Sequence, residues 1–150
     1  MVSDARFGIE LYEADDRDRA QSGRIGHVWS PDAELIVRDV DGTVRIVDPS
    51  GANPRFVNSS IASLEGFLEA FRVFYLGDRP AVPAKMTVDE ARARLAALHR
   101  GETLADPVAA APIARSERLA TLRQTLGAQD PPAVAEGTWW ARILRRPEFD

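Results

Sequence analysis

Apolar residues alternate with period two before about residue 60 and recur at helical intervals after it, so strands are predicted in the first part and helices in the second. Phe7, Ile9, Leu11 and Glu13 alternate with Gly8, Glu10 and Tyr12, the pattern of a strand with one buried face near a sheet edge. Gly26 to Trp29 reads as another short strand, ended by Ser30-Pro31-Asp32. Two Val-, Ile- and Leu-rich runs follow, Glu34 to Val40 and Thr43 to Asp48, split by Asp41-Gly42. That dipeptide predicts a two-residue hairpin turn in which Gly42 takes the positive φ. Leu35, Val37 and Asp39 point one way and Ile36, Arg38 and Val40 the other, so neither face is purely apolar, but at least one is core. Pro49 to Pro54 is a loop by composition, and Phe56-Val57 resumes the β pattern before Asn58-Ser59-Ser60 stops it.

Ser59 or Ser60 is the predicted N-cap of the next element. Ile61, Leu64, Leu68, Phe71 and Tyr75 fall at helical spacing, and Phe67 and Phe74 widen the stripe, so this helix buries a broad face until Gly77. The Pro-rich stretch near 78–86 reads as a rigid connector inside one domain of residues 1–150. Thr87-Val88-Asp89-Glu90 then opens a helix to His99 with a capping box, and Gly101 is its stop. Val88, Ala91, Leu95 and Leu98 give it a narrow apolar stripe that packs without being central. Glu102 to Ala114 reads as an extended crossing, and Ser116 to Leu126 as a helix ended by Gly127. After the break at Asp130-Pro131-Pro132, a last helix from near Thr138 carries Trp139, Trp140, Ile143 and Leu144. Adjacent tryptophans cannot face the same way along a helix, which places one in the core and the other partly in solvent.

Three stretches carry a resemblance: Val44-Arg45-Ile46-Val47-Asp48-Pro49, Arg55-Phe56-Val57-Asn58-Ser59-Ser60 and Leu64-Glu65-Gly66-Phe67-Leu68. Together they resemble the SUKH superfamily of bacterial immunity proteins and are most similar to its fourth subgroup. In that subgroup a hairpin strand ends in an Asp-Pro-like turn, and a Phe-Val-Asn-Ser-Ser segment leads into an apolar helix. The run Ala133 to Leu144 is similar to the aromatic final helix of those proteins. Members begin with a helix and a longer lead-in, whereas strand-like residues here start at about Phe7, and Pro80 to Pro112 fits the pattern poorly. The resemblance implies an α+β fold: an antiparallel sheet of about four strands, a packed helix and C-terminal helices. It also implies a non-catalytic protein that neutralises a co-encoded toxin by binding it.

Composition narrows the partner. At 150 residues, 45% hydrophobic and 28% charged, the chain is an ordinary globular domain with one core. Its formal charge of −4 repels a phosphate backbone and suits a basic protein, so direct nucleic-acid binding is not expected. No cysteine is present, which removes disulfides and thiolate metal sites and makes the cytoplasm the default compartment. No apolar run approaches the ~20 residues of a membrane span, and no signal segment is evident.

Candidate chemistry is sparse. The acidic run Glu13, Asp15, Asp16 and Asp18 lacks the glycine and final glutamate of a calcium loop and is interleaved with Arg17 and Arg19, so a solvated loop or partner-binding patch is favoured over metal. His27 and His99 have no ligand-spaced neighbours, no nucleophile elbow frames a serine, and no Gly-rich phosphate loop occurs. No cofactor and no catalytic residues are therefore expected. Partner contacts are assigned to Glu13, Asp15, Asp16 and Asp18 and to the hairpin residues Asp39, Asp41 and Asp48. Phe56, Val57, Asn58, Ser59, Ser60, Phe67, Trp139 and Trp140 are read as structural family residues. The alternative function is a structural or regulatory interaction module without a toxin, docking through Pro80 to Pro112 or Trp139/Trp140.

Overall fold

The computed structural model describes residues 2–13, 23–78, 86–102 and 113–149. Six strands pair antiparallel in chain order: β1 (Val2–Asp4), β2 (Ile9–Leu11), β3 (Arg24–Val28), β4 (Glu34–Arg38), β5 (Val44–Val47) and β6 (Arg55–Asn58). The helices are α1 (Ile61–Leu76), α2 (Val88–His99), α3 (Arg115–Gln129) and α4 (Trp139–Ile143), with 3-10 turns at Pro131–Val134 and Pro147–Phe149. The class is α+β, as expected, with six strands in place of about four. The unforeseen edge strand β1 is three residues long, too short to show an alternation. All but the end residues of the predicted connector (78–86) and crossing (102–114) lie outside the described residues.

The sheet is a meander, so each strand exits at the end where the next one enters. Glu13, the turn of residues 39–43 and Asn58 therefore share one end, while Trp29, Glu34, Asp48 and Arg55 share the other. The β4–β5 connection is not the predicted two-residue turn. Gly42 N–H donates to Asp39 O at 3.0 Å and Asp39 N–H to Thr43 O at 2.8 Å, so the chain turns over Val40-Asp41 and Gly42 follows at φ 90°. This is the longer hairpin loop in which a left-handed glycine restores the strand.

One face of the sheet carries Ile9, Leu11, Ile25, Val28, Ile36, Val44, Ile46 and Val57, all buried in the main core. The opposite face holds a register row of Glu10, His27, Leu35 and Val47, of which His27, Leu35 and Val47 are also buried. β3 crosses β2 closely at Gly26, where a Cβ would lie 2.3 Å from Glu10 O.

α1 supplies Leu64, Phe67, Leu68, Phe71 and Phe74 to the core and packs on α3. Phe71 stacks on Trp140 with centroids 5.1 Å apart, and Phe7 and Phe149 meet Phe71 edge-on at 4.8 and 5.6 Å. Each such fully buried ring is worth about 1.5–3 kcal/mol of transfer free energy. Ser60 caps α1 by accepting from Ser63 N–H at 3.0 Å. Gly77 follows the helix end, but with φ −68° it is not a left-handed stop. Its missing side chain leaves room for Arg118, whose Nη1 would lie 2.3 Å from a Cβ there and donates to Phe74 O at 2.6 Å.

α3 runs past the predicted stop at Gly127 to Gln129, because Leu126 is buried against the core and the chain breaks only at Asp130 before the two prolines. Thr138 caps α4, but the two tryptophans do not divide between core and solvent. Trp140 is fully buried and Trp139 is 8% exposed, their rings perpendicular with centroids 4.6 Å apart. A five-residue helix seated between β6 and the Pro131–Val134 turn is covered on more than one side.

Candidate functional site

The Phe56 to Ser60 segment converges on a carboxylate distant in sequence. Asp130, 3% exposed, accepts from Ser59 N–H at 2.7 Å and Asn58 Nδ2 at 3.0 Å through Oδ2, and from Ser59 Oγ at 2.8 Å through Oδ1. Asn58, itself fully buried, accepts from Trp140 Nε1 at 2.9 Å. A chain of polar groups thus joins the β6–α1 junction to the end of α3 and to α4. Charge-assisted bonds of this kind keep a carboxylate stable out of water, where an unpartnered one would not persist. Val57 is buried beneath, Phe56 is half-buried against the core, and Phe67 meets Trp140 at 5.4 Å. Asp130 escaped the sequence reading because an Asp before two prolines already has a local explanation as a helix break.

The acidic residues assigned to partner contact are differently placed. Asp15, Asp16 and Asp18 lie outside the described residues. Glu13 is exposed just beyond β2, at the sheet end that also holds Asp39 and Asp41. Asp48 is not with them; it stands at the far end of β5. Asp39 pairs with Arg45 at 2.6 Å. Asp41 accepts from Thr43 N–H at 2.9 Å, and that bond holds its carboxyl below the usual carboxylate range. Asp48 accepts from Ser50 Oγ at 2.6 Å, Ala52 N–H at 2.8 Å and Asn53 Nδ2 at 3.1 Å, and the Ser50 hydroxyl is the main cause of its lowered pKa. Asp41 and Asp48 thus fix their own turns, and Asp39 pairs across the hairpin.

His27 lies across from Glu10, with Nε2 3.6 Å from the carboxylate, and its buried Nδ1 has no hydrogen-bond partner. His99 is exposed at the end of α2. Among the described residues, no group of three or more His, Asp or Glu side chains could hold a metal ion.

A feature the sequence did not single out sits at the far end of the sheet. Trp29 directly follows β3 with φ 64°, a backbone region a bulky residue rarely adopts, and is 69% exposed. Its N–H donates to Gly8 O at 2.6 Å, and its indole covers Gly8, where a Cβ would lie 2.2 Å from the ring. Beside it opens a recess of about 270 Å³ lined by Trp29, Glu34, Arg55, Trp139, Arg142 and Arg146, among others. Arg55 pairs with Glu34. Arg142 and Arg146 are exposed and have no ion pair among the described residues, whereas the intervening Arg145 pairs with Glu136 at 3.0 Å. A wider apolar groove of about 590 Å³ runs between α1 and α3, past Val73, Phe74, Ile113 and Leu122.

Residues 7–146 match the model of the SUKH-4 immunity protein family. No curated protein and no solved structure matches the chain. Among the described residues, no helix is long and apolar enough to cross a membrane.

Proposed function

Because the chain belongs to the SUKH-4 immunity protein family, we propose that it neutralises a toxin encoded beside it by binding the toxin and covering its active surface. Family membership across nearly the whole chain carries this reading. Binding alone is the mechanism: the hydroxyls of Ser59 and Ser60 are engaged with Asp130 and Ser63, and His27 is buried against Glu10, so these groups serve the fold. The Asn58–Asp130–Trp140 network holds the sheet and the C-terminal helices in one rigid arrangement, which lowers the ordering cost of association.

The partner in this reading is a basic, nucleic-acid-attacking toxin met in the cytoplasm. Glu13, Asp39 and Asp41 supply carboxylates at one end of the sheet that would speed encounter with it; Asp15, Asp16 and Asp18 are assigned to the same role from the sequence alone. Asp48 contributes at the other end or not at all. The test is co-expression with the neighbouring gene product, reading cell survival and co-elution on size exclusion. Rescue together with a stable 1:1 or higher complex is the expected result. Survival without a complex, or a complex without protection, would reject neutralisation by binding.

A second reading, docking of a partner other than a toxin, is favoured by α2, whose Val88, Leu95 and Leu98 stand more than half exposed. Trp139 and Trp140 cannot serve it, since both are buried.

A further inference from the structure

We infer that the recess beside Trp29 is the anchor point for an acidic segment of the toxin, a loop that places a carboxylate between Arg142 and Arg146 and an apolar side chain on the Trp29 indole. The inference rests on the immunity reading and adds a surface and a chemistry to it.

Charge singles out the recess first. In a chain of formal charge −4, three guanidinium groups gather here against one carboxylate, Glu34. Glu34 is committed to Arg55, which leaves Arg142 and Arg146 as donors for an incoming carboxylate. Arg offers a planar fork that matches carboxylate geometry bidentately. Two such groups flanking a small recess suit one or two acidic side chains, whereas the overall negative charge opposes the long phosphate chain of a nucleic acid.

Trp29 is the second observation. An exposed tryptophan held at φ 64° is an outlier that folding does not require, since glycine would occupy the position without strain. Its backbone is nevertheless fixed by the bond from the main-chain N–H to Gly8 O, and the indole rests on the glycine surface beneath it. A large aromatic already ordered loses little freedom on binding, and Trp and Arg dominate the energetics of protein interfaces. The acidic end of the sheet need not be a separate site. The strands are five residues or fewer, about 17 Å, so an interface of about 800 Å² per partner can touch both ends.

The experiment measures affinity for the toxin encoded by the neighbouring gene, using wild type, W29G, the double variant R142E/R146E and the acidic-end variant D39K/D41K. W29G suits the local backbone, and Arg142 and Arg146 are surface residues, so these two variants are expected to melt like wild type, whereas D39K/D41K gives up the Asp41–Thr43 bond and the Asp39–Arg45 pair and is compared at equal folded concentration. W29G and R142E/R146E each weaken the complex at least tenfold. Trp29 is the exposed one of three tryptophans, so acrylamide quenching of the wild-type fluorescence falls when the toxin is added. A wild-type protein that forms no complex removes the immunity reading, and this inference with it. A complex that forms normally while W29G and R142E/R146E bind within twofold of wild type, with Trp29 still quenched, overturns the recess alone. So does binding of a single-stranded oligonucleotide that R142E/R146E abolishes while toxin affinity is kept.

Discussion

Helices α1 and α2 both present apolar stripes in the sequence, yet one is the centre of the core and the other lies largely outside it. α1 has one side-chain cap, no acidic residue in its first turn and no basic residue in its last. α2 has both halves of a capping box, Thr87 Oγ1 accepting from Glu90 N–H at 3.2 Å and Glu90 from Thr87 N–H at 2.7 Å. It also has Asp89 and Glu90 at the positive end of its dipole and His99 at the negative end. Its last turn closes with Gly101 N–H on Leu98 O and Glu102 N–H on Ala97 O, Gly101 at φ 76°. α1 is held by what it touches and α2 by its own ends. Only Ala97 of α2 is buried.

The largest effect expected from breaking this contrast lies on the α1 side. Trp140→Ala removes the ring that Phe67 and Phe71 pack on and strands Asn58 Oδ1, so chemical denaturation should show a loss of about 3–5 kcal/mol. Asp130→Ala removes the acceptor of the Ser59 N–H and leaves the buried Asn58 amide without one, a loss of about 1–3 kcal/mol for the stranded amide. Gly26→Ala drives a Cβ into Glu10 O, which is backbone and cannot swing aside; about 1–3 kcal/mol of overpacking is expected, with weakened amide protection along β2 and β3.

On the α2 side, effects should be smaller and local. Thr87→Ala is worth about 1 kcal/mol of helix stability and should appear in hydrogen exchange of α2 amides rather than in global unfolding. Leu95→Ser should shift the global midpoint by less than about 0.5 kcal/mol. If Leu95→Ser instead matched a core substitution, the contrast between the helices would be wrong.

The smallest expected effect is a pH dependence at the α1–α3 junction. Asp78 is held below the usual carboxylate range by Arg115 and then Arg118, the latter at 2.6 Å. A depressed folded-state pKa adds stability that is complete above the ordinary carboxylate pKa and lost as pH falls through the lowered one. Asp78→Asn should therefore lower stability slightly at neutral pH, leave it unchanged at the acid end where Asp78 is already protonated, and so flatten the acid limb of the stability curve.

The contrast explains what could be read in advance. Caps, turn glycines and stripe spacing are local, so Thr87-Glu90 and Gly101 were legible outright, Ser60 as one of two cap candidates, and Thr138 as the neighbourhood of a helix start. Helix α2 was the most legible element and matters least to the core. Asp130 was not legible as a partner of Asn58, because the two are 72 positions apart and each has a sufficient local explanation. The exposure of Trp29 depends on a single backbone angle that no residue pattern encodes, so the sequence pointed to Trp139 or Trp140 for an exposed aromatic and the structure puts it at Trp29.

The meander has a consequence for the order of assembly. Every strand pairs with its sequence neighbour, so the sheet and α1 can form while the chain is still being made, with short loops to close. Asn58 and Ser59 then wait, exposed to water, until residues 130 and 140 emerge to receive them. On this order the N-terminal half would be a nascent intermediate whose final dehydration awaits residues made 71 and 82 positions later. A chain halted near residue 112 would keep its hairpins but hold an open, wet seam beside α1.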